Sequence, residues 1–238
     1  MKSSKEELQK RGFAEEEEIA LLADKSQEEL LLLLQEHNPV LRTSAAVNLM
    51  LTQENEMKLS RHLLNQLSVE KCLYTKLAIC EALQRGGVPT ARQMVPYLGR
   101  IGNNQYKDIP DRVSLKKSYP LPRDIIARTL AKMPKTVFPV LLEVLQGNET
   151  DKICEVLDAI GFMVFYNRQL SNEINLRIIY DVLERFRENE LLQWKAILCL
   201  SGFALEENRM GLKAYAGKDN LLGQEALRAL ALLDKHIE

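Results

Sequence analysis

One short pattern recurs six times along this chain and restricts what it can fold into. A small or apolar residue is followed, after two positions, by a small residue and then Leu or Ile. The instances are Ala45…Asn48-Leu49, Ile79…Ala82-Leu83, Ile126…Thr129-Leu130, Val156…Ala159-Ile160, Ala196…Cys199-Leu200 and Ala226…Ala229-Leu230. Measured at the closing Leu or Ile, the steps are 34, 47, 30, 40 and 30 residues. A step in this range is too short for a domain and matches one helical hairpin. Such a hairpin cannot bury its own apolar face, so stacking on its neighbours must supply the core. Small residues in the second helix of each hairpin let adjacent backbones approach closely.

Helix punctuation agrees with this reading. Ser4-x-x-Glu7 and Ser26-x-x-Glu29 have the form of capping boxes, in which a hydroxyl and a carboxylate satisfy the free N–H groups of a first turn. Thr90-x-x-Gln93, just after Pro89, is expected to do the same. Gly12, Gly86-Gly87, Gly102 and Gly147 fall where helices should stop.

The first unit, "HNPVLRTSAAVNLM" (37–50), has an Asn-Pro turn, Arg42 and an Ala-Ala pair, and it resembles the HEAT-repeat family. "LPRDIIARTLAKM" (121–133) is similar, with Arg123 in register with Arg42, whereas the units at Ile153, Gln193 and Gly223 lack that Arg. The resemblance implies an all-α fold: a right-handed α-α superhelix, a HEAT- or armadillo-like solenoid of about six helical hairpins. Residues 1–25 are expected to form N-terminal capping helices and 26–238 the repeat array. An irregular all-helical bundle is the competing fold, but it would not account for the recurrences.

Composition excludes several classes. Hydrophobic content of 46% with 27% charged residues is that of a folded chain rather than a disordered one, and Gly and Pro are sparse. The first twenty residues are charged where a leader would need an apolar core, and "AILCLSGFAL" (196–205) is about half of a membrane span. Neither a signal peptide nor membrane association is expected. Cys72, Cys80, Cys154 and Cys199 form no CxxC pair and sit in apolar helical patterns. They read as buried free thiols in a reducing cytoplasm, and His37, His62 and His236 are too scattered for ligands, so neither metal nor cofactor is expected.

The longest step has a cause. Between Gly102 and Pro122 lie about 20 residues, where helix connections usually take 2–8. This insert, residues 103–121, carries prolines and two tyrosines, Tyr106 and Tyr119. With the adjoining Arg123 it has Lys107, Arg112, Lys116 and Lys117 against Asp108 and Asp111, a net charge of +3. It belongs to a basic middle: residues 37–135 carry +9 between two ends of −5 each, which the total of −1 conceals. A plain surface insertion is one reading, and a binding loop is the other. On the second, Tyr106 and Tyr119 supply contact area, the five basic residues supply charge, and shortening the loop is expected to leave the helices folded.

No phosphate loop, dinucleotide fingerprint, HExxH or GxSxG motif occurs. Glu15 to Glu18 suit a helix start, and Phe162, Phe165, Tyr166 and Trp194 read as packing residues. The expected function is therefore non-enzymatic: a scaffold that binds a protein, in particular an acidic one, through its concave face and the 103–121 loop. The alternative is a nucleic-acid-binding protein similar to the alkylpurine DNA glycosylases built from HEAT-like repeats. Those depend on an aromatic–Asp constellation that cannot be placed here by sequence. Phycobilin lyase-like proteins share only the repeat.

Overall fold

The computed structural model describes residues 4–52 and 55–235, so His236 lies outside the described residues. Among them there are fourteen α-helices and no strand. The chain divides into two compact units, Met1–Met94 and Val95–Glu238. The expected division at residue 25 falls inside the first.

The first unit contains α1 (Lys5–Lys10), α2 (Glu16–Ala20), α3 (Gln27–Leu33), α4 (Pro39–Leu49), α5 (Glu56–Val69), α6 (Leu73–Gln84) and α7 (Val88–Met94). The second contains α8 (Ile125–Leu130), α9 (Phe138–Leu145), α10 (Thr150–Tyr166), α11 (Glu173–Arg185), α12 (Glu190–Leu200), α13 (Glu206–Ala216) and α14 (Leu221–Lys235), with 3-10 turns at Val95–Tyr97, Lys135–Val137 and Arg168–Leu170.

The six motifs lie on α4, α6, α8, α10, α12 and α14. Within the first unit α2, α4 and α6 pack in succession, and within the second α8, α10, α12 and α14 do. The odd-numbered helices back them: α3 on α4, α5 on α6, α9 on α10, α11 on α12 and α13 on α14. The small-residue stripe is the seam. Ala45, Ala46 and Leu49 are buried on α4, as are Ala196, Cys199 and Leu200 on α12 and Ala226 and Ala229 on α14. Central α12 is buried from Leu192 through Leu200, as a helix covered on several sides must be.

The caps bear out the sequence in two places and correct it in a third. Ser4 and Ser26 accept from Glu7 N–H and Glu29 N–H, and each Glu reaches back to the cap N–H. Thr90, however, lies inside α7, and its hydroxyl donates to Glu56 at 2.7 Å. Gly12 and Gly102 adopt positive φ (86° and 82°), but Gly86, Gly87 and Gly147 do not. Cys72 is also not inside a helix. It is the half-buried N-cap of α6, and its thiol meets the Lys10 carbonyl at 3.5 Å.

Arg42 and Arg123, aligned by sequence, do different work. Arg42 grips the buried Glu70 through both terminal oxygens (2.7 and 2.8 Å) and donates to the carbonyls of Glu36 and His37. Arg123 reaches Asn104 at 3.1 Å and lies 4.2 Å over the ring of Tyr106.

Candidate functional site

The insert is a packed cover, tied at its neck and along its length. Gly102, in the left-handed region that L side chains avoid, turns the chain out of the Val95–Tyr97 turn region. At the neck, the Gln105 amide donates to the Ile101 carbonyl (2.9 Å) and to Asp124 (2.7 Å). The other oxygen of Asp124 caps α8 by accepting from Ala127 N–H at 2.7 Å. Burial holds the Asp124 pKa above its ordinary value despite these bonds. Arg128 closes the exit by donating to the Pro122 carbonyl at 2.8 Å.

Further along, Tyr106 meets Trp194 edge-on at 5.0 Å, and Tyr119 packs between Phe162 and Phe165. Tyr119 is only 2% exposed and shares a core cluster with Trp194 and Leu198. That seat requires glycine beneath it, because a Cβ at Gly161 would collide with the phenol. At the far end, Arg228 of α14 reaches the Ser118 carbonyl at 3.3 Å. Tyr119 is therefore a core residue, which corrects its expected role as a contact surface. The expectation that the loop could be removed with the helices intact is not supported by these contacts.

Beneath the cover, three successive second helices present charge where an apolar stripe would be usual. Glu155 and Asp158 come from α10, Lys195 from α12, and Glu225 and Arg228 from α14. Lys195 is 0% exposed, and its Nζ lies 2.5 Å from Asp158 Oδ2 and 3.8 Å from Glu155 Oε2. Burial opposes the ammonium, but the two carboxylates outweigh it and its pKa is raised. Burial pushes Asp158 up against the pull of Lys195, and brings Glu155 to about 7. Trp194 Nε1 donates to Glu225 at 3.0 Å, and Arg228 donates to the same carboxylate at 2.7 Å.

One acceptor is left over. Asp158 is 5% exposed, and its Oδ1 has no hydrogen-bond partner among the described residues. A buried carboxylate oxygen without a donor costs free energy, so native structures rarely leave one. Asp158 lines a cavity of about 770 Å³ between cover and helices. Tyr106, Trp194 and Leu198 add flat and apolar wall, Glu225 also lines it, and Arg112, Lys116 and Arg123 bring positive charge from the cover side.

The proposed binding residues thus separate. Arg112, Lys116 and Arg123 reach the cavity while remaining exposed, and Tyr106 is half-buried on its wall. Lys107 belongs to another depression, with Asp108, Ile109 and the α11–α12 connection. Lys117 is exposed and lines neither. Tyr106, Trp194 and Asp158, which sequence reading did not bring together, line one cavity. A signal for the charged cluster existed: Glu155, Lys195 and Glu225 each stand immediately before the first motif residue of their repeat, and each meets a neighbouring motif helix.

No protein-family model matches the chain, and no curated protein matches it. Two crystal structures of engineered proteins align with it. One is 16% identical, covering 89% of this chain and 99% of that one at a TM-score of 0.40. The other is 14% identical, covering 89% and 97%, also at 0.40. Among the described residues, no helix is long and apolar enough to cross a membrane.

Proposed function

We propose that the chain is a non-enzymatic HEAT-like solenoid that binds an acidic protein through the cover at residues 103–121. The finer fold we assign is a right-handed α-α superhelix, and the successive packing of motif helices within each unit supports its solenoid stacking. The observation that carries the functional reading is Leu115. It is 89% exposed, with Arg112, Lys116 and Lys117 exposed around it, on a segment anchored by Tyr119 and Arg228. An apolar side chain held in water on a fixed basic platform suits a partner with an apolar socket and an acidic rim, because association recovers the burial while charge steers the encounter. The proposed location is the cytoplasm, supported by four cysteines that are all free thiols.

The test uses Leu115→Ser combined with Lys116→Glu and Lys117→Glu, changes confined to exposed side chains. A protein captured from native extract by the intact chain and lost with this variant supports the reading. Unchanged capture of every species removes the tip from the account.

A second reading is favoured by the Tyr106–Trp194–Asp158 grouping beside basic residues: nucleic-acid binding, of the kind seen in HEAT-like alkylpurine DNA glycosylases. It requires affinity for duplex DNA that falls steeply with salt through counterion release. Salt-insensitive or absent binding removes it.

A further inference from the structure

We propose that Ser114, in the cover, is a phosphorylation site for a serine kinase of the class that reads basic residues, and that its phosphate switches off the basic platform around Leu115. The modification itself stands on accessibility and charge. Its consequence rests on the protein-binding tip proposed above and adds a regulation to that site.

The sequence offers five serines with Lys or Arg two positions before them: Ser4, Ser44, Ser60, Ser114 and Ser118. Kinases choose among such serines by charge around the hydroxyl and by whether the chain can enter the cleft. Ser44 and Ser60 are buried in α4 and α5, at 0% and 2% exposure. Ser4 caps α1, and Glu6 and Glu7 follow it, so an acidic cleft would repel the segment. Ser118 is exposed but fixed: Tyr119 beside it is a core residue, and Arg228 holds the Ser118 carbonyl at 3.3 Å.

Ser114 has what the others lack. Arg112 stands before it, Lys116 and Lys117 stand after it, and all three are exposed. Leu115, the next residue, projects into water. Residues 111–117 lie in no helix and make no backbone–backbone hydrogen bond among the described residues. Their bonds are few and long: Lys116 N–H donates to Ser114 Oγ at 3.3 Å, and Arg228 reaches the Lys116 carbonyl at 3.5 Å. An extended span can therefore lift into a cleft while Tyr119 keeps the cover seated. In the transfer, Ser114 Oγ attacks the γ-phosphorus of ATP, the bond to the β-phosphate oxygen breaks, ADP leaves, and the hydroxyl proton passes to the kinase's base. The product places a charge of about −2 among three cations, pairs with them, and cancels most of the attraction for an acidic partner.

The full chain is incubated with ATP and the catalytic domain of a protein kinase C, which takes serine between basic residues, and phosphate is located by mass spectrometry. One phosphate on Ser114 is expected, with none on Ser44 or Ser60 and little on Ser118. Ser114→Ala should abolish incorporation, and Arg112→Gln should slow it about tenfold, the loss of one charge-assisted contact. A Glu-rich peptide is then titrated at low salt onto the untreated and the phosphorylated chains. Phosphorylation should weaken the peptide about tenfold, whereas kinase-treated Ser114→Ala should bind it as before. No phosphate at Ser114, or preference for Ser118, overturns the proposal even where the tip binds the peptide. A chain fully phosphorylated at Ser114 that keeps its affinity for the peptide overturns the switch. A chain that accepts phosphate at Ser114 but never binds the peptide supports the modification site and counts against the tip instead.

Discussion

Both units bury an ionic cluster, the first joining α4 to the α5–α6 connection and the second lying between motif helices, and the two are built to opposite ends. In the first unit, Glu70 is satisfied completely. It accepts two bonds from Arg42, one from Gln66 and two from the N–H groups of Lys71 and Cys72. Burial alone would raise its pKa, but these donors bring it to about 2. In the second unit, Asp158 and Glu155 share one lysine, keep an oxygen each without a hydrogen bond among the described residues, and have raised pKa values. The first arrangement ties a helix start to the preceding turn. The second leaves buried carboxylate oxygens without donors, one of them on Asp158, which lines a cavity.

The largest expected effect comes from breaking the second cluster on one side. Lys195→Met leaves two buried carboxylates without their cation and should cost about 3–5 kcal/mol at neutral pH, measured by urea denaturation. The loss should shrink in acid, where both carboxylates protonate.

Removing the cover's anchor comes next. Tyr119→Ala should destabilise the second unit by about 3 kcal/mol, since a buried aromatic is lost. Tyr119→Phe should cost nothing or stabilise, because the hydroxyl is buried and has no partner among the described residues. A large loss in the Phe variant would mean that the hydroxyl is bonded.

The seam of the first unit is more forgiving. Ala46 is 0% exposed on α4, and Ala46→Phe should overpack it at about 1–3 kcal/mol, read as a lowered melting temperature.

The smallest effect is a pair of opposed pH slopes. Glu70 has a folded pKa below its ordinary 4.5, so its contribution is full above 4.5 and is lost as pH falls toward 2. Glu155 is raised from 4.5 to about 7, so the folded state binds the extra proton between those values. The second unit should therefore lose stability as pH rises from 4.5 through 7. Hydrogen exchange resolved by unit should show both slopes, and Glu155→Gln should flatten only the second.

Much of the fold was legible because it is local and periodic. The six motifs fell on six helices, and two serine caps formed as their spacing required. The failures share a cause. Thr90 did not cap α7 because Glu56, thirty-four residues earlier, takes its hydroxyl and the Gly87 N–H. Tyr119 looked like an exposed loop tyrosine because Gly161, Phe162 and Phe165, which bury it, lie some forty residues away. The length and charge of the cover were visible, but its attachment was not. The cluster was written into the stripe positions, yet a charged residue at one helix's seam gains meaning only when the helix opposite carries its counter-charge.

The account's central claim is that the Arg42–Glu70 pair holds the fold, whereas the Glu155–Asp158–Lys195 cluster adds no stability that packed apolar side chains would not supply. The direct measurement is the denaturation midpoint of two all-apolar replacements, Glu155→Leu/Asp158→Leu/Lys195→Met and Arg42→Met/Glu70→Leu. The first should be as stable as the parent or up to about 1–4 kcal/mol more stable, as when a buried ionic group is replaced by packed apolar side chains. The second should be clearly less stable, because it strips partners from the Lys71 and Cys72 N–H groups and from the Glu36 and His37 carbonyls. A first variant that unfolds while the second holds would contradict the account and make the cluster under the cover the structural one.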